Sequence, residues 1–347
     1  MPTALRLGVL DQSPVAEGSS GAQALRDTLD LAGLADRLGY HRYWVAEHHG
    51  GPMLAGTSPE ALIGPIAAAT SQIRVGSGGV MLPHYSPFKV AETFSVLSGL
   101  FPGRIDLGIG RTDGTDDPVT IFALQRDRNH PALDDFGEQL AELLGYLRAE
   151  LPADHLFASL PGLLPGRPEG PAPWLLGSSA QSAVWAAQLG LPYAFADFIN
   201  AGGGVDIVNL YRERFVASER LPQPRVVVAV WALCADSDEQ ALELSASARM
   251  VSLRARRGKY TAVPPVQTAV RFVERRTRGR DDPALRKRMV TGAPATVRAD
   301  LQRLAADYAV DELLVVAVTH DHAARRRSYQ LLADAFSLTA SRSGAAP

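Results

Sequence analysis

Apolar and polar positions along the chain follow two alternating periods. Short apolar runs of strand length recur at Arg6–Asp11, Arg42–Glu47, Ile73–Leu82, Arg104–Gly110, Trp174–Gly177, Tyr193–Ala196, Arg225–Ala235 and Glu312–Val318. Between them lie longer segments whose apolar residues return every three or four positions, the spacing of one helix face. Gly21–Leu38 carries Leu25, Leu29, Ala32 and Leu34 near that spacing. Ser58–Ser71 opens with Ser58 as N-cap and Pro59 at the first helical position. Pro87–Leu100, Asp134–Leu151 and Ser179–Leu189 read as further helices. Strands alternating with helices predict a parallel sheet buried on both faces. Eight strand candidates at fairly even spacing favour closure. The expected fold is α/β, a (β/α)8 TIM barrel forming a single domain over residues 1–347.

Two stretches interrupt the alternation. Ser159–Pro173 is dense in Pro and Gly and reads as a loop. Arg254–Met289 is Arg-rich, carries helix-like pieces, and reads as an insertion after the seventh strand. An insertion there lies at the barrel mouth, so residues 254–289 are expected to form a lid. A solvated surface excursion is the equal alternative.

Composition narrows the class. With 347 residues, 46% of them hydrophobic, the chain has ample material for a large core. A net charge of −2 provides no basic field to attract nucleic acid or an anionic membrane. No apolar run approaches the ~20 residues of a membrane span, and the first residues lack a signal pattern. A soluble cytoplasmic protein is the expectation. The single cysteine, Cys234, excludes an internal disulfide and reads as a buried thiol within Val226–Ala235. Only three of the 35 basic residues are Lys, which points to a GC-rich genome.

Four places carry candidate chemistry. Glu47-His48-His49 closes the second strand before the turn at Gly50-Gly51-Pro52. Consecutive strand residues point to opposite sides, and no second cluster completes a coordination set, so no metal site is expected. His48 reads instead as an acid/base or hydrogen-bonding group facing a small-molecule substrate, with a solvated loop histidine as the bland alternative. Gly76-Ser77-Gly78-Gly79 interrupts the third strand and marks either a bulge or a place where a flat ligand meets main chain. Gly108–Gly114 superficially resembles a dinucleotide fingerprint. Its spacing is off by one, and Thr115–Pro118 is not expected to open a helix, so a Rossmann site is rejected. Arg111 reads as a partner for phosphate or carboxylate, or as a surface ion pair with nearby Asp residues. Ser178, Ser179 and Ser182 join a strand to a helix, where an anion site and simple N-capping compete. Each signal is weak alone. All four lie at C-terminal strand ends, which a barrel gathers around one mouth.

Tyr43–His49, Val75–Glu92, Gly103–Arg111, Leu176–Pro192 and Gly292–Pro294 together resemble stretches of bacterial luciferase α-subunits and luciferase-like monooxygenases. The order and spacing hold from roughly residue 5 to 335. The resemblance implies a barrel that binds FMN at its mouth, with the reduced flavin supplied by a separate flavin reductase. It implies an enzyme, a two-component monooxygenase that uses reduced FMN and O2, through a C4a-peroxyflavin, to hydroxylate or epoxidise a small organic substrate. With the GC-rich composition, an aromatic polyketide intermediate of natural-product biosynthesis is the expected substrate type. His48 matches the family's catalytic histidine, and Asp117 an acidic residue that tunes the flavin. Gly78 and Gly79 match a cis peptide beneath the ring, and Arg111, Ser179 and Ser182 match phosphate contacts. The family also implies a homodimer, with Gly21–Leu38 and Ser58–Ser71 as candidate pairing faces. Three positions depart from the luciferase pattern: Gly110 replaces a cysteine, Asp197 a tryptophan, and Pro131 a second phosphate-binding arginine, for which Arg126 or Arg128 are substitutes. These bear on light emission, not on flavin use. Two alternatives stand beside this reading: an F420-dependent oxidoreductase on the same fold, and a non-catalytic flavin-binding subunit like luciferase β.

Overall fold

The computed structural model describes residues 5–129, 134–200, 202–277 and 289–339. Among them, strands β1 (Arg6–Asp11), β2 (Arg42–Val45), β3 (Arg74–Met81), β4 (Ile105–Gly110), β5 (Ala172–Gly177), β6 (Tyr193–Ala196) and β7 (Val226–Cys234) pair in parallel, each with the next. A short β8 (Met289–Gly292) flanks β7, and β9 (Glu312–Val316) pairs with both β7 and β1. Leaving β8 aside, the other eight close into a (β/α)8 barrel.

Helices cover the outside: α1 (Gly21–Leu38), α2 (Pro59–Ala69), α3 (Pro87–Leu100), α4 (Pro118–Leu124), α5 (Phe136–Arg148), α6 (Ala180–Gln188), α7 (Gly204–Arg214), α8 (Asp238–Ala255), α9 (Val266–Thr277), α10 (Pro294–Asp307) and α11 (His322–Phe336). Their ends follow local chemistry. Ser20 accepts from Gln23 N to start α1, and Gly39, in the left-handed region at φ 85°, ends it. Ser58 holds the N-cap position of α2 but makes no side-chain capping bond. The apolar faces of α1, α3, α5 and α6 join outward strand residues in one core with Tyr43, Phe94, Leu143, Ala186 and Leu313. None of the described helices is long and apolar enough to cross a membrane.

The barrel interior is a second core, with Leu10, Trp44, Trp174, Val227, Ala229 and Leu314. Its N-terminal end is plugged by charge. The Arg42 guanidinium is buried, donating to Asp106 at 2.7 Å and to Glu312 at 2.5 and 3.1 Å. It lies 4.8 Å from the ring centroid of Trp174 and 5.3 Å from that of Trp44. Burial opposes charge on Glu312, but His41 and Arg42 overcome it and hold the carboxyl down at about 2. This end is a sealed floor. In barrels of this kind functional groups gather at the opposite end, where the strands finish.

Three expectations need correction. Strand β2 stops at Val45, so Glu47, His48 and His49 lie in the following loop and strand alternation does not set their directions. Pro118 does open a helix, α4, with Asp117 as its cap. The stretch expected as an insertion from Arg254 begins inside α8 and ends in β8, a strand the apolar pattern does not announce. Residues 278–288 of that stretch are outside the described ones. Helix α7 is a further element that the sequence pattern left unread.

Candidate functional site

The loop after β2 is pinned to the mouth by its own backbone. His48 N donates to Gly56 O at 2.8 Å and His49 N to Gly114 O at 3.0 Å. Gly114 has φ 67°, and an added Cβ would meet Glu47 O at 3.2 Å and the His49 ring at 3.3 Å, so the β4–α4 loop requires glycine there. Glu47 is fully buried, yet its carboxylate has three donors. Oε1 accepts from His49 Nε2 and Tyr85 Oη, both at 2.8 Å, and Oε2 accepts from Met81 N at 2.9 Å. His84, adjacent to Tyr85, donates from Nε2 to Asp113 O at 2.9 Å, its ring 5.8 Å from that of His49.

His48 is different from its neighbour. Its Nδ1 is buried and has no hydrogen-bond partner. Burial, with the adjacent His49 adding to it, pushes the imidazole down to about 4, against the opposing pull of Glu47. His48 is therefore neutral near pH 7, with a nitrogen free to make a hydrogen bond and no positive charge. The other buried polar side-chain atoms without partners among the described residues are Glu60 Oε2, in the first turn of α2, and Trp231 Nε1, on β7. Native structures rarely leave such atoms unsatisfied, so they mark places where something further binds or moves.

Gly78 and Gly79 sit where the β3–β4 register shifts between Ser77 and Val80, the bulge their spacing suggested, and the peptide bond joining them is cis. An added Cβ at Gly78 would meet Leu10 Cδ1 at 2.5 Å, and one at Gly79 would meet Gly108 O at 2.8 Å. Glycine is thus required by the wall behind this segment.

Around the rim, Arg111 follows β4 directly. Its guanidinium lies 5.1 Å from the Trp185 ring on α6 and pairs with the exposed Asp134 at 3.1 Å. The N-terminus of α6 is capped by Ser179, which accepts from Ser182 N in a reciprocal capping box. Ser182 also reaches Ser179 O at 2.8 Å and Tyr193 Oη at 3.0 Å, while Ser178 O accepts from Asn200 Nδ2. Arg111 thus packs on the same helix whose N-terminus Ser179 caps; a cation and a helix N-terminus are each donors that suit a phosphate.

The remaining candidates do other work. Asp117 is exposed and accepts from Thr120 N and Oγ1 at 3.0 and 2.6 Å, bonds that hold its carboxyl below the usual range. Asp197 accepts from Tyr308 Oη. Arg126 is engaged by Pro83 O and Asp135, and Arg128 by Ala123 O. Pro131 is outside the described residues. Cys234 is buried, which pushes its thiol up to about 12. Among the described residues no group of three or more His, Cys, Asp or Glu is placed to hold a metal ion.

Opposite the histidines the mouth is apolar, with partly buried Leu176, Phe198, Trp231 and Val318 on the interior core. Phe198 and Trp231 stack at 6.3 Å. A strap from the end of α8 to the start of α9 reaches the loops after β1 and β4. Val263 exchanges two 2.8 Å backbone bonds with Val15 and Glu17, and Tyr260 Oη bonds to Asp116. Glu47, Tyr85, His84, Glu60, Phe198 and Trp231 were not assigned roles from sequence. Trp231 had a usable signal, since it continues the inward alternation of Val227 and Ala229.

Known proteins resemble this chain along nearly its whole length. The solved structure of apo-MsnO8 is 42% identical and superposes with a TM-score of 0.86, covering 97% of this chain and 99% of its own. The uncharacterized Bacillus subtilis protein YwcH is 45% identical over 336 residues, 95% of this chain and 98% of its length. N-acetyl-S-alkylcysteine monooxygenase of Bacillus subtilis is 36% identical over 334 residues, again 95% of this chain and 98% of its own. More distant structures, at 20% and 13% identity, share the fold alone; one holds FMN and the other an F420–acetone adduct. Residues 5–330 match the luciferase-like monooxygenase family, and with that match spanning nearly the whole barrel the chain belongs to that family.

Proposed function

We propose that the protein is a two-component monooxygenase that takes reduced FMN from a separate reductase and uses O2 to oxygenate a small organic molecule. The observation that carries this reading is that Arg111, at the end of β4, stacks on Trp185 of the helix whose start Ser179 caps. Arg111, Ser178, Ser179 and Ser182 would hold the FMN phosphate there, with the Gly78–Gly79 segment against the ring. Reduced FMN, when bound, supplies the electrons that activate O2. The protein's own part is binding, orientation and exclusion of water. His48, neutral and with an unpartnered Nδ1, would hydrogen-bond at the reacting face. The apolar wall of Leu176, Phe198, Trp231 and Val318 favours a substrate with a largely apolar surface. The strap through Tyr260 and Val263 would act as the lid. Asp117, as cap of α4, would act on the flavin only through the loop it fixes.

A homodimer belongs to the same reading. The apolar positions of α1 are spent on the core, but α2 exposes Ala61, Pro65, Ala68 and Ala69, and α3 exposes Val96 and Leu100. Sedimentation giving a monomer at micromolar concentration would end that part.

The deciding experiment is an anaerobic titration with reduced FMN, oxidised FMN and F420. It is followed by a reductase-coupled assay with N-acetyl-S-alkylcysteines and apolar aromatic compounds as probes. Preferential binding of reduced FMN with oxygen transfer to a probe supports the proposal. Preference for F420 with hydride transfer would replace it by the deazaflavin alternative. Flavin binding without O2 consumption would indicate a non-catalytic subunit.

A further inference from the structure

The sequence offers two adjacent histidines at the mouth, and the structure treats them unequally. His48 has a bare, buried Nδ1. His49 is tied through Nε2 to Glu47, a carboxylate with no solvent exposure that Tyr85 Oη and Met81 N also anchor. An ionised carboxylate only accepts hydrogen bonds, so the imidazole nitrogen facing it must carry the hydrogen. That leaves Nδ1 of a neutral His49 as the basic nitrogen. It makes no hydrogen bond among the described residues and, unlike Nδ1 of His48, is not sealed from solvent. A base oriented by a buried carboxylate is the arrangement that general-base catalysis uses elsewhere.

We infer that Glu47, braced by Tyr85, is a positioning residue that fixes His49 as the Nε2–H tautomer and makes His49 Nδ1 the proton acceptor of the mouth. The step balances simply. A proton presented at the mouth moves to Nδ1, the ring becomes imidazolium, and the Glu47 carboxylate opposes the new charge without itself being protonated. Return of the proton restores the neutral ring. The charged and titratable neighbours are His48 beside it, Glu60 from α2, and His84 and Tyr85 after β3. Burial and Glu47 raise the Glu60 carboxyl, and His49 acts on it in the opposite direction. His48 and His49 then divide the work, one as a neutral hydrogen-bonding group and the other as the proton carrier.

The inference rests on the mouth being the reaction site, but its first test does not need flavin. Nitrogen-15 spectra of histidine-labelled protein, with His49 assigned by His49→Asn, report which ring nitrogen carries hydrogen. The expected result is a single Nε2–H tautomer for neutral His49, lost to a mixture in Glu47→Gln and weakened in Tyr85→Phe. An Nδ1–H tautomer in the wild type, or an unchanged spectrum in folded Glu47→Gln, would overturn the positioning role. Should Glu47→Gln fail to fold, the wild-type tautomer and Tyr85→Phe still decide. The second test is turnover of a probe that the wild type oxygenates. His49→Asn should lose about 10²–10⁴-fold while flavin affinity holds, and turnover within a few fold of wild type would overturn the proton-acceptor role. Failure of the flavin titration would remove the proposed reaction and leave the tautomer result standing.

Discussion

The guanidinium of Arg111 lies 5.1 Å from the centroid of the Trp185 ring, on the same helix whose first turn Ser179 caps. The stacking fixes a cation on that helix, and the guanidinium's other partner is Asp134, an exposed carboxylate that a phosphate can displace. Arg111→Ala is expected to weaken reduced-FMN binding by about 1.5–3 kcal/mol, the range of a hydrogen bond to a charged group. Anaerobic titration measures it. Riboflavin, which lacks the phosphate, provides the control: equal binding of riboflavin and FMN to the wild type would remove the assignment.

Ser179 serves a cap and, in the proposed site, a phosphate, and one substitution separates the two. Ser179→Asp keeps an N-cap acceptor but sets a negative charge where the phosphate would sit. Its melting temperature should stay close to wild type while FMN affinity falls. Ser179→Ala should do the reverse, losing about 0.5–2 kcal/mol of stability with a smaller change in affinity than Arg111→Ala. If Ser179→Asp bound FMN normally, the anion site would have to lie elsewhere.

The floor of the barrel gives a stability prediction. Removing Glu312 leaves Arg42 buried without its bidentate partner, and breaking such a pair costs about 3–5 kcal/mol. Urea unfolding of Glu312→Ala should show that loss. The pH dependence follows from the same contact. The folded carboxyl sits at about 2, below its usual 4.5, so the unfolded state binds the proton first on acidification. The stabilisation is fully present above about pH 4.5 and is lost as pH falls towards 2. Melting curves of Glu312→Gln should therefore lose less between these limits than those of the wild type.

Residue by residue, what was legible depended on how local the cause was. The limits of β1 and β6 and both ends of α1 and α3 follow from nearby apolar spacing, caps and glycines, and the structure keeps them unchanged. Helix α4 was legible but overruled: Asp117 followed by Pro118 is a helix start, and the comparison with a dinucleotide motif obscured it. Strand β8 was not legible, because Met289–Gly292 has no apolar run of its own and is a strand only through pairing with β7. The roles of Glu47 and Tyr85 are of the same kind. Their hydrogen bond joins positions 38 residues apart, and only the closed barrel brings the β2 and β3 loops together.

His48 gives the last prediction, and it has two independent readouts. Its ring is held near 4 in the folded protein against 6.5 ordinarily, mainly by burial. On acidification the unfolded chain therefore takes up a proton that the folded one refuses. The contribution of His48 to stability is present above pH 6.5 and lost as pH falls towards 4. In His48→Ala the decline in melting temperature across that window should be shallower than in wild type, and the variant should stay folded because a polar ring at the mouth contributes little to the core. Its chemistry should change separately. Flavin binding should persist, O2 uptake should continue, and H2O2 should replace most of the oxygenated probe, with product down about 10²–10³-fold, the loss of one preorganised hydrogen-bonding group. A His48→Ala protein that couples O2 uptake to product as well as wild type would show that the unpartnered Nδ1 has no part in the reaction, whatever its effect on the melting curve.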